Sequence, residues 1–188
     1  MMTAVWSIIE SYVGGGSGAI AVRKTPGGRR SGRYTSSMHS GKSFAFLRVA
    51  FGFVWAIDAY FKWQPGFLGN FTGYLTDAMQ GQPALVQGWI QLWVNFISVD
   101  PYLFAVIVAI GETAIALALI FGFFTRGAIA GGTLLSLVIW ATAEGFGGPY
   151  VAGATDIGSA IIYVFVFAAL WTGKSWQRYS IDSLIARR

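Results

Sequence analysis

Four long apolar runs, at about residues 44–63, 102–124, 126–143 and 155–172, decide what this chain is able to fold into. A helix needs about 20 residues to cross a hydrocarbon core about 30 Å thick. The first two runs meet that length and the last two stand near its lower limit. All are too long for barrel strands and none alternates apolar with polar residues, so helix is the reading for each. Composition agrees: 55% of the 188 residues are hydrophobic and only 11% are charged. That is too little charge to cover a water-soluble domain of this size. The expected fold is an all-α membrane protein, a four-transmembrane-helix bundle over 44–172 with an amphipathic outer-loop helix. An amino-terminal arm (1–43) and a basic tail (173–188) flank it.

The basic residues orient the bundle. Six lie in the arm: Arg23, Lys24, Arg29, Arg30, Arg33 and Lys42. Arg126 sits between the second and third runs, and Lys174, Arg178, Arg187 and Arg188 follow the fourth. The two remaining loops carry only Lys62 at their border, and otherwise Asp77, Asp100, Glu144 and Asp156. Positive charge marks the cytoplasmic side, and an even number of spans puts all three basic groups there. The expected location is the plasma membrane of a prokaryote, multi-pass, with both termini cytoplasmic. The arm is rich in Gly, Ser and Arg and is expected to be disordered. It does not have the order of a signal peptide, because its basic part follows its weak apolar part. Its charge is explained by topology and by attraction to anionic lipid, so the lipid bilayer, and not nucleic acid, is the expected partner.

The first outer loop, 64–101, has its own pattern. After Pro83, the residues Leu85, Trp89, Leu92, Trp93, Phe96 and Ile97 recur at helical spacing, with Gln87, Gln91 and Asn95 opposite. This predicts an amphipathic helix with Pro in its first turn. A weaker one is expected around Phe67 to Met79. Such helices suit the membrane interface as connectors, or a lid over the bundle; the connector is the expected role.

Polar groups in a span are costly and face the bundle interior or a cavity. In the first run Arg48, Gly52, Trp55, Ala59 and Lys62 share a face, with Asp58 one turn before Lys62. Thr133, Ser136, Trp140 and Glu144 do so in the third, and Asp156, Ser159 and Tyr163 in the fourth. The second contributes Glu112. Counted inward from the outer ends at about 1.5 Å per residue, Glu112 falls level with Gly52 to Trp55, within reach of Arg48. The expectation is an Arg48–Glu112 pair at mid-depth, with Glu112 as candidate proton carrier. Asp58, Lys62, Glu144 and Asp156 are expected at a polar outer mouth. Interhelical ties and an outward-opening pocket both account for this pattern. Gly127 and Gly131 are expected to let helices of the same chain approach closely.

The absence of cysteine excludes disulfides, thiolate metal sites and iron–sulfur clusters built by this chain alone. The one histidine, His39, leaves no pair of axial haem ligands. No metal or haem is predicted.

The stretches LRVAFGFVWAIDAYFKW (47–63) and GETAIALALIFGFFTR (111–126), a long loop between them and a Gly-rich third run resemble the DoxX/DoxD family over about 43–172. The long aromatic loop resembles the DoxD branch, the membrane subunit of thiosulfate:quinone oxidoreductase. The resemblance implies thiosulfate oxidation to tetrathionate with quinone as electron acceptor, together with a second subunit resembling DoxA or another soluble redox protein. A quinone needs an apolar slot with aromatic walls and a proton-handling group. Trp55, Trp140 and Tyr163 beside Glu112 are the candidates. The alternative is a non-catalytic anchor or scaffold for a redox or stress-response partner; a small transporter is a third reading.

Overall fold

The structure is a computed structural model that describes residues 35–151 and 156–187, with side chains from residue 41. The expected arm lies outside the described residues up to residue 34, as does the side chain of His39. Residues 34–188 form one compact unit. Its helices are α1 (Thr35–Lys62), α2 (Pro65–Gly69), α3 (Phe71–Ala78), α4 (Ala84–Ile97), α5 (Pro101–Phe121), α6 (Thr125–Ala141), α7 (Ser159–Thr172) and α8 (Ile181–Ile185). Short 3-10 turns stand at Gly145–Gly147 and Ser175–Gln177. No strand occurs among the described residues.

Among the described residues, two helices are long and apolar enough to cross a membrane: Gly41–Lys62 within α1, with 22 residues, and Pro101–Phe121, with 21. Helices α6 and α7 are apolar but shorter, at 17 and 14 residues. Of the four expected spans, two therefore reach full length. The others are cut short at the ends that face each other in sequence, where Thr142 leaves helical geometry and where a turn at Asp156–Gly158 delays the start of α7. Phe53, Ile57, Ile107, Ile110, Leu117, Leu134, Ile162 and Phe165 are exposed, so α1, α5, α6 and α7 each present an apolar outer face.

Local chemistry sets the helix ends. The Asp100 side chain accepts the Leu103 amide (3.0 Å) and Pro101 stands at the first helical position, which together start α5. Gly122 ends it in the left-handed region at φ 68°. A Cβ there would collide with Arg48 and Ser180, so glycine is needed for space as well as for conformation. The core joins Phe51, Trp55, Ile115, Leu119, Ile129, Phe167 and Leu170 from all four long helices. Close approach is made by Gly52 against Leu119 and Ile120, and by Gly132 against the Phe167 ring. The expected pair Gly127 and Gly131 does not do this. Gly127 meets Phe124 of its own turn and Gly131 faces open space.

The outer loop is a packed layer. Leu75 of α3 and Ile90, Val94 and Ile97 of α4 form a second core, with Phe104 of α5 and Ala143 packed against it. The Trp89 indole donates to the Ala141 carbonyl (2.9 Å), fastening α4 to the outer end of α6. Leu85, Leu92 and Val99 stay exposed. These helices cover the bundle end, so the expected role as a simple connector is replaced by that of a cover.

Candidate functional site

The register between α1 and α5 determines which charges meet. Gly52 lies against Ile120, while Lys62 Nζ lies 3.7 Å from Glu112 Oε1. The Trp63 indole donates to Thr113 Oγ1 (3.1 Å) one residue further on. Helix α5 therefore extends past the Lys62 end of α1 by about three turns, residues 101–111, and Glu112 is level with that end. The expected Arg48–Glu112 pair is not formed. Aligning the outer ends of two helices of similar length misplaced Glu112 by that offset, and Arg48 is 14 residues from Lys62, about 21 Å along the helix.

Glu112 is 2% exposed. One oxygen faces Lys62 and the other, Oε2, has no hydrogen-bond partner. At 3.7 Å the contact with Lys62 is an ion pair and not a hydrogen bond. A buried carboxylate with one free oxygen can accept a proton or a donor from a ligand, and it is costly unless something uses it. Asp58 lies close enough for its charge to act on both Glu112 and Tyr163. Its carboxylate accepts the Tyr163 hydroxyl (3.0 Å).

Beside Lys62 a cavity of about 390 Å³ opens between α3, α4, α5 and α6. Phe67, Phe71, Tyr74, Trp93, Phe96 and Phe104 supply aromatic walls, and Leu135, Val138 and Ile139 the aliphatic side. Lys62 is the only charged residue in the lining and holds its ammonium 5.1 Å from the Phe67 ring centre. The amphipathic helices of the outer loop thus build this cavity. Their Trp and Phe pattern was the available signal, although spacing alone did not assign them to a binding wall.

Other expected residues serve elsewhere. Trp55 packs among Phe51, Tyr163 and Phe167, and its indole nitrogen has no hydrogen-bond partner. Trp140 donates to the Ile157 carbonyl (2.9 Å) and stands edge-on to Phe146. None of Trp55, Trp140 and Tyr163 lines the aromatic cavity. Glu144 accepts the amides of Ser159 and Ala160 and the Ser159 hydroxyl, which caps α7. Asp156 accepts the Gly158 amide (2.7 Å) in the turn before it. Asp58 and Lys62 stay near Glu112, while Glu144 and Asp156 are occupied with the start of α7; the charges of Asp58, Glu112 and Glu144 all act on Tyr163.

Arg48 belongs to the opposite end. It is 0% exposed and donates through Nη2 to the Tyr179 carbonyl (2.6 Å). Asp182 accepts the amides of Phe124 (2.9 Å) and Thr125 (2.8 Å), and its own amide donates to Gly122 (2.9 Å). Residues 175–187 thereby fold back under the bundle, a contact that a tail read by charge alone does not announce.

A family model described as DoxX matches residues 43–145. No curated protein matches the chain, and no solved structure does.

Proposed function

Because this chain belongs to the DoxX family, we propose that it crosses the plasma membrane four times, termini inside, as the membrane subunit of a quinone-linked oxidoreductase. The observation that carries the catalytic part is the aromatic cavity whose one charged lining residue, Lys62, is paired with buried Glu112. Its volume falls within the range of small-molecule sites, and one polar group on apolar walls suits an oriented ring. The four-span reading is supported by the apolar outer faces of α1, α5, α6 and α7. Orientation is supported by Arg126, whose guanidinium lies 4.7 Å from the Trp176 ring centre; the turn and the tail thus share one end.

In this reading the bound quinone supplies the electron-accepting chemistry. Phe67, Tyr74, Trp93 and Phe96 hold its ring and exclude water. The Lys62 ammonium would donate toward a ring oxygen, and the Glu112 carboxylate paired with it would take up a proton through its free oxygen. Thiosulfate, the electron donor implied by the family resemblance, is a dianion. Lys62 is already paired with Glu112, so this end of the chain offers thiosulfate no free cation among the described residues. Its oxidation to tetrathionate then belongs to a second subunit resembling DoxA or another soluble redox protein.

A short-chain quinone titrated into the purified full chain tests this. It is expected to quench tryptophan fluorescence saturably, and Trp93→Ala should weaken binding about tenfold, the scale of one lost aromatic contact. Absence of saturable quenching would remove the quinone assignment. The second reading, a non-catalytic anchor for a redox or stress-response partner, draws support from Trp140, Glu144 and Asp156, whose polar groups are spent on structure. Co-purification of a soluble oxidoreductase without quinone binding would favour it.

A further inference from the structure

The end of the bundle opposite Lys62 carries basic side chains that the quinone reading does not use. A cavity of about 490 Å³ lies between Phe121 and the folded-back tail, with Arg178 and Arg187 as its charged lining. Arg178 also lines an adjacent cavity of about 430 Å³, where Lys174 joins it. No acidic side chain lines either cavity. Neither Arg178 nor Arg187 makes an ion pair among the described residues. The neighbouring acid, Asp182, is engaged by the Phe124 and Thr125 amides. The hydroxyls of Ser180 and Ser183 donate to the carbonyls of Trp176 and Ser180, so the guanidinium groups and the Tyr179 hydroxyl are the side-chain donors left for a ligand.

The apolar side of the same cavity narrows the ligand class. Phe121, Tyr179, Ile181 and Leu184 line it and are all exposed. It opens where α5 ends, at the level where a spanning helix meets the headgroup region. A soluble phosphate would match the two arginines and leave this apolar wall to water. A phospholipid matches both, its phosphate on the guanidinium groups and its acyl chains along the aromatic and aliphatic wall. We propose that the tail cavity is a binding site for an anionic phospholipid, held through its headgroup phosphate by Arg178 and Arg187.

The full chain is reconstituted in nanodiscs of phosphatidylcholine doped with phosphatidylglycerol, and retained lipid is measured by native mass spectrometry after release. Phosphatidylglycerol should be retained preferentially. Arg178→Gln with Arg187→Gln should reduce that preference about thirtyfold, from about fivefold per basic residue near an anionic surface. Inorganic phosphate added to the wild-type chain should not displace the lipid, and this arm of the experiment stands even where the tail variant misfolds. Equal retention of both lipids would overturn the proposal. So would displacement by phosphate alone, which would mark a free-anion site.

Discussion

The two ends of the bundle each bury an ionic group, and they set it in different surroundings. At the outer end, Glu112 has one charged neighbour at 3.7 Å and one oxygen without a partner, and a cavity adjoins the pair. At the tail end, Arg48 is closed over by the tail, which it holds through the Tyr179 carbonyl, while its Nε and Nη1 have no hydrogen-bond partner and Asp182 pins that tail to the start of α6. The charges there tie segments together. Both groups keep buried polar atoms without a partner, and what sets the Glu112–Lys62 pair apart is the aromatic cavity that Lys62 lines.

The contrast is strongest at Glu112. Glu112→Gln keeps the shape and removes the proton-holding carboxylate. Quinone reduction in membranes is expected to fall about a hundredfold or more, with the thermal unfolding midpoint in detergent nearly unchanged. Turnover at the wild-type rate would end the role given to Glu112. Asp182→Ala makes the opposite cut. Losing the cap on α6 and the tail contact should cost about 2 kcal/mol and expose the tail to protease, with quinone affinity intact. A matching loss of quinone affinity would show that the two ends are not independent. The smallest effect belongs to Trp140→Phe. Loss of the indole bond to Ile157 should cost about 1 kcal/mol and leave quinone binding alone; weakened binding would return Trp140 to the site.

Much of the fold was legible because a helix is local. The apolar runs, Asp100 and Pro101 at the start of α5, and the Pro83-led amphipathic pattern each act within a few residues. Register is not local. Nothing within α1 or α5 states that one overshoots the other by about three turns, so Glu112 was assigned to Arg48 and not to Lys62. The capping role of Glu144 and Asp156 was missed for a related reason. An acid at the mouth of a span and an acid capping the next helix look alike until the loop between them is folded. The binding wall was hidden more deeply, because α3, α4, α5 and α6 each contribute only part of it.

The unequal lengths of the long helices carry a consequence for the bilayer itself. In the four-span arrangement α1 and α5 cover about 30 Å, whereas α7, with 14 residues, covers about 21 Å. One membrane thickness does not fit both sides of such a bundle. Lipid beside α6 and α7 must thin, or the molecule must tilt, at a cost of fractions of a kcal/mol per Å. The protein is then an asymmetric inclusion that two copies could relieve by placing their short sides together, giving membrane thickness a say in where the subunit resides and what it meets there.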